Sequence, residues 1–333
     1  MRLGVVVLLV LAAAAAMADS VDAVRLIDGL EKVYGKHVGF RRNHAKGVCF
    51  TGWFDGNGAA AALSRATVFG RGRVPVFGRF ALNGGLPARA DGPDTSRSMA
   101  VNFVLADGET WRTGMIDVPV FPVRDAAAFY DQLMAFRPDP ATGKPDPEQQ
   151  KAFVTAHPEW ARTLALLKEA PLASGFANDT YFGLNAFRLV DGVGKARAVR
   201  WSMRPVDAFE SASSWTPIDP NYLFNALASR LHEGAIQWHL VLTLAARGDP
   251  TDDATLAWPA ERPSVDAGTL VVRALESEAP GNCRDVNFDP LVLPAGIEPS
   301  DDPLLRARSA AYAVSFSRRS GEQKTPSAVQ TGK

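Results

Sequence analysis

From Ile236 to Leu244 the chain reads Ile-Gln-Trp-His-Leu-Val-Leu-Thr-Leu, an alternation of apolar and polar residues with period two. Only a strand with one buried face uses that pattern well. Similar runs occupy residues 48–54, 66–70, 74–82, 99–106, 110–116, 185–190 and 196–204, and Asp107-Gly108 between two of them is a hairpin turn signal. About eight or nine mostly antiparallel strands leave a sheet whose free edges must be hidden, and closing it into a barrel hides them. Helical patterns interrupt the strands. Ser20 can cap a helix carrying Val21, Val24, Ile27, Leu30 and Tyr34, and further helices are expected over 148–156 and 159–169. Another follows Asp219-Pro220, with Leu223, Phe224, Leu227 and Leu231 inward. The fold class is therefore α+β, in one domain without a visible linker or repeat.

Lys plus Arg equals Asp plus Glu, 36 each, so nothing calls for nucleic acid or an anionic membrane as partner. The first eighteen residues fit export better than structure. Arg2 gives a positive start, Leu3 to Ala16 an apolar core, and Ala16-Met17-Ala18 a small-x-small cleavage site. That core is shorter than the roughly 20 residues a membrane span needs. The expected organisation is a signal peptide at 1–18, a domain at 19–319 and a disordered polar tail at 320–333, in an exported, periplasmic protein with no membrane attachment after cleavage. An uncleaved anchor is the competing reading. Cys49 and Cys283 allow one intramolecular pairing, and a disulfide and two thiols stand as equal alternatives.

Two short stretches carry chemistry: Arg41-Arg42-Asn43-His44-Ala45-Lys46-Gly47 and Arg308-Ser309-Ala310-Ala311-Tyr312. An Arg four residues before a Tyr shares its helix face, and a nearby guanidinium favours phenolate over phenol. A phenolate is a hard anionic ligand suited to ferric iron. A tyrosine in an Ala-rich helix is by itself ordinary packing, and a lone histidine beside Arg and Lys an ordinary surface residue. Their order with further motifs changes the reading. Phe77-Gly78-Arg79-Phe80, Arg97-Ser98-Met99-Ala100-Val101, Pro119-Val120-Phe121 with Arg124-Asp125 and Phe129, Ala173 to Ala177, and Phe288 to Leu293 all lie between or beside them. This ordered set, over about residues 25 to 319, resembles the haem catalases and most closely their short relatives, the catalase-related peroxidases.

The resemblance implies an antiparallel eight-stranded β-barrel with inserted and C-terminal helices and haem b (iron protoporphyrin IX) against its flank. It implies Tyr312 as axial iron ligand, Arg308 as its electrostatic partner and His44 as the distal acid/base that moves a proton between the two peroxide oxygens. Arg41, Arg79 and Arg319 resemble the family's haem-propionate contacts, Phe129 the ring stacked on the porphyrin, and Phe121 a pocket wall. The partners would be a small peroxide and an organic electron donor; the oligomeric state is open.

Three departures bear on activity. Ile116, or alternatively Asp117, stands where catalases usually carry an Asn. Ala81 replaces a Ser that often supports the distal His, and Asn43 replaces an aliphatic neighbour. An Ile cannot hydrogen-bond a second hydrogen peroxide, so little catalase activity is expected beside peroxidase activity. The alternative from another class is an exported haem- or lipid-binding carrier without turnover.

Overall fold

The computed structural model describes residues 21–212, 219–279 and 281–331. The expected signal peptide, the Ser20 cap and the last two residues lie outside these. Helix α1 (Ala23–Tyr34) begins instead at Asp22, whose carboxylate accepts the Arg25 backbone N–H at 2.7 Å. The strands are β1 (Gly47–Asn57), β2 (Arg71–Leu82), β3 (Arg97–Val104), β4 (Thr110–Ile116), β5 (Tyr181–Phe182), β6 (Phe187–Val190), β7 (Ala196–Pro205), β8 (Ile236–Leu244), β9 (Ser264–Glu276) and β10 (Ile297–Pro299). The other helices are α2 (Ala126–Ala135), α3 (Pro147–Ala156), α4 (Pro158–Glu169), α5 (Tyr222–His232) and α6 (Pro303–Ser320). None of the described helices is long and apolar enough to cross a membrane.

Eight strands close on themselves in the order β1, β2, β3, β4, β5, β7, β8, β9 and back to β1, every pair antiparallel. Strands β6 and β10 extend the sheet beside β7. Barrels of about eight strands are just wide enough for side chains to fill, and this one is filled. Phe50, Phe54, Phe80, Phe103, Trp111 and Trp238 are fully buried in one cluster with Phe187 and Trp201, and Phe103 stacks on Trp111 at 4.6 Å. A ligand therefore belongs on the outer flank.

Two expectations need correction, and strand β9 was not anticipated. Residues 66–70 form a single 3-10 turn at Thr67–Phe69, not a strand, because the Phe69 and Gly70 N–H groups close back onto Ala66 and Thr67. Strand β9 breaks the alternation that would have announced it: Gly268 sits in it at φ +144, where a Cβ would lie 2.3 Å from the Asp55 carbonyl oxygen. The polar end is not a loose tail over its described part. Val329 is 2% exposed in the main core, and Ser327 and Thr331 bond the segment after β9.

A disulfide joins Cys49 on β1 to Cys283, with Cα atoms 5.4 Å apart. It selects the first of the two alternatives the cysteine count allowed.

Candidate functional site

His44 lies in the turn just before β1, at φ +53, rather than on a strand-like run. Asn43 makes that turn: its side-chain oxygen accepts the N–H groups of His44 at 3.0 Å and Gly84 at 2.9 Å. The left-handed backbone is tolerable for His. Ser98 on β3 supports the imidazole, Oγ to Nδ1 at 3.1 Å. The same hydroxyl donates to the Ala81 carbonyl at 3.3 Å. A hydroxyl has one proton to give, so Nδ1–H must donate to Ser98, leaving the Nε2 lone pair free. The hydroxyl missing at Ala81 thus arrives from the neighbouring strand. Burial first, then the charges of Arg79, Arg308 and Arg41, hold the His44 pKa down at about 3. The ring is neutral, as a proton acceptor must be.

On the other side, α6 starts at Asp302, whose carboxylate caps Leu304 N–H at 2.9 Å, with Pro303 in the first turn. Arg308 and Tyr312 share a face of α6, the guanidinium carbon 5.8 Å from the ring centroid. Arg308 also donates to the Asn185 amide oxygen, and to the Gly114 carbonyl at 3.2 Å. Asn185 in turn donates to Asp302 at 2.8 Å. The Tyr312 hydroxyl has no hydrogen-bond partner among the described residues, and a Cβ on Gly114 would stand 3.9 Å from it. On the barrel's outer face, Ser98 pairs with Ile116 and Ala100 with Gly114. The Ser98 that holds His44 and the glycine beside Tyr312 are therefore diagonal neighbours on adjacent strands, about 7–8 Å apart. Arg308 acts electrically on His44 across that space.

At the edge of the same space the arginines gather. Arg41 Nη1 and Arg79 Nε donate to one oxygen of Glu278, at 2.8 and 2.7 Å. Arg319 Nη2 donates to the Val286 carbonyl at 3.1 Å and Nη1 to that of Arg284, and Arg41 reaches both carbonyls too. Arg79 also holds the Ala45 carbonyl, next to His44, at 3.2 Å. Phe129 on α2 packs with Phe121, ring centroids 5.7 Å apart, and against the cluster containing Ala311, the residue before Tyr312.

The residues present fit a haem. A tyrosine oxygen is unpartnered among the described residues and lies beside a glycine, a neutral histidine is held by the neighbouring strand, and buried arginines stand close by. Among the described residues no three His, Cys, Asp or Glu side chains cluster to bind a bare metal ion. Ser98, Asn185, Gly114 and Glu278 were not legible as site residues, because each acts through a partner remote in sequence. Only the Arg-Ser-Met motif around Ser98 gave a signal.

Comparison with known proteins gives the same direction. A family model described as Catalase matches residues 14–327. A catalase-related peroxidase of Synechococcus elongatus is 36% identical over 304 residues, covering 91% of this chain and 90% of its own. One from Mycolicibacterium paratuberculosis is 33% identical, covering 92% and 97%. The crystal structure of a fungal catalase superposes with a TM-score of 0.75 over 93% of this chain and 66% of that one, at 18% identity.

Proposed function

The chain belongs to the catalase family, and from that premise we propose that this haem peroxidase is exported and reduces hydrogen peroxide or organic hydroperoxides with an organic electron donor, His44 acting as acid/base and Tyr312 being the residue that would hold the iron of haem b. The observation that carries the reading is the pair of side chains set at diagonal positions on the barrel's outer face, an imidazole held by Ser98 and, beside Gly114, a Tyr312 hydroxyl with no hydrogen-bond partner among the described residues.

When bound, the haem supplies the two-electron reduction of the O–O bond. Everything else falls to this chain. Tyr312 would hold the iron through its oxygen, with Arg308 stabilising negative charge there, and Asn185 and Asp302 fix Arg308. His44 Nε2 accepts a proton from the near peroxide oxygen and returns it to the departing one, so that water leaves rather than hydroxide. Ser98 keeps that lone pair aimed into the site. Arg41, Arg79 and Arg319 would take the haem carboxylates, and Phe129 with Phe121 forms an aromatic wall.

Export rests on the N-terminal leader pattern and gains support from the Cys49–Cys283 disulfide, since reduced compartments disfavour such bonds. Cleavage near Ala18 is read directly by N-terminal sequencing of the mature protein. For the carrier alternative, the packed barrel interior leaves no room for a lipid inside it.

The test is an absorption spectrum of the purified protein, followed by peroxide with an oxidisable dye and an oxygen electrode. A phenolate-ligated ferric haem and dye oxidation without brisk oxygen release are expected. Ile116 pairs with Ser98 and offers no polar atom to a second peroxide. Ile116→Asn is expected to raise the ratio of oxygen release to dye oxidation; an unchanged ratio refutes the role given to Ile116. Ser98→Ala loses one hydrogen bond, worth about 0.5–1.5 kcal/mol, and so roughly 3–10-fold in kcat/KM for peroxide at equal haem content. Adding Ala81→Ser is expected to recover part of it.

A further inference from the structure

We propose that Glu278 is a resident counter-ion that matches the Arg41–Arg79–Arg319 cluster to a cofactor bearing two carboxylates and keeps the chain folded before that cofactor arrives. The proposal rests on the haem reading above and adds a residue that lies outside the motifs.

Glu278 is 4% exposed, and a single one of its oxygens bridges two guanidiniums. Arg41 and Arg79 share Glu278, and Arg319 shares two carbonyl acceptors with Arg41, so this linked group holds three positive charges and one negative. The excess is two, the charge of a dicarboxylate. Burying like charges side by side is costly unless an opposite charge is hydrogen-bonded between them. Burial, followed by the Arg79 charge, pushes Arg41 well below the usual arginine range, and Glu278 opposes that shift. The more distant Asp285 is engaged by Lys324, and Arg284 adds a further positive charge near Arg319.

The position of Glu278 does not depend on a ligand. Its segment leaves β9 at Glu276, and Cys49 pairs in register with Glu276 on one side and Arg79 on the other. The disulfide then fixes Cys283, whose carbonyl accepts Arg41 Nη2 at 2.8 Å. Ser327 Oγ receives the Ala279 N–H at 2.7 Å. A covalent bond and the C-terminal segment thus hold the carboxylate between the arginines.

The test compares Glu278→Gln, which keeps the acceptor and removes the charge, with the native chain. Thermal unfolding is followed without cofactor, with ferric haem, and with ferric haem dimethyl ester, which has the same iron but no carboxylates. Without cofactor the variant is expected to melt roughly 6–10 °C lower. Haem should recover most of that loss and the ester little of it, while Glu278→Asp should stay near the native value. A variant that folds only when refolded with haem supports the proposal as well. Equal losses with and without haem, full recovery by the ester, no loss at all, or a variant that stays unfolded even with haem would each overturn it. A native chain that binds neither haem nor ester sinks the haem reading itself, and the proposal with it.

Discussion

His44→Ala is expected to leave haem bound and to slow peroxide turnover by roughly 10²–10⁴-fold, the usual worth of a positioned acid/base. Tyr312→Phe is expected to lose both haem and turnover. The contrast follows from the two sides of the site. His44 hangs from a turn and from Ser98 and touches none of the arginines that would hold the haem carboxylates. The Tyr312 hydroxyl has no hydrogen-bond partner among the described residues, which leaves its oxygen available to an iron. Soret absorbance per chain and stopped-flow rates with hydrogen peroxide separate the outcomes. A His44→Ala protein with native rates would remove the proposed proton transfer. A Tyr312→Phe protein with an unaltered spectrum would remove the proposed ligand. The haem-free chain offers an independent check on His44. Its pKa falls from about 6.5 unfolded to about 3 folded, so the unfolded chain binds the extra proton first as acid is added. Stability from this group is complete above about pH 6.5 and is lost as the pH falls toward 3. The melting temperature of His44→Ala should be less sensitive over that window.

Asp91→Asn is expected to destabilise the fold by about 3–5 kcal/mol, the cost of leaving a buried charge without its partner. Lys46, in the same motif as His44, does no chemistry at the site. Its ammonium is buried against Asp91 at 2.6 Å and donates to the Arg89 and Pro220 carbonyls, each at 2.8 Å. The second Asp91 oxygen accepts Leu223 N–H at 2.9 Å, at the start of α5. One ion pair therefore ties the start of β1 to a loop and a helix over 170 residues away. Lys46→Met is expected to cost less. Burial already raises the Asp91 carboxyl above its ordinary range, so a proton can neutralise it when the lysine is gone. Denaturant unfolding of both variants checks the order; equal or reversed costs would contradict it.

How much of this was legible varies with the range over which each signal acts. Strand β8 and strand β4 have the limits their alternation announces, since period two is a local property. Strand β9 was invisible, because Asp266 and Gly268 serve a bulge and a close approach to β1 rather than the pattern. The motif order placed His44, Arg308 and Tyr312 in one region; in the fold Ser98 holds His44, and Arg308, beside Tyr312, reaches Gly114 on the adjacent strand. The supporting residues were hidden. Ser98 substitutes for a hydroxyl absent at Ala81, and Glu278 reaches arginines 199 and 237 positions away. Such pairings leave no trace in a single sequence. The buried Val329 was missed for the same reason: its neighbours in sequence are mostly polar, and it packs into a core built from residues remote in sequence.

The link between Cys49 and Cys283 spans 234 positions. At the usual pace of translation, roughly 5–20 residues per second, the first sulfur waits on the order of tens of seconds for its mate to be synthesised. During that interval it is an open thiol on a nascent chain, free to couple wrongly with any passing oxidised partner. Correct closure consequently certifies that nearly the entire polypeptide has been made and has brought its two ends together.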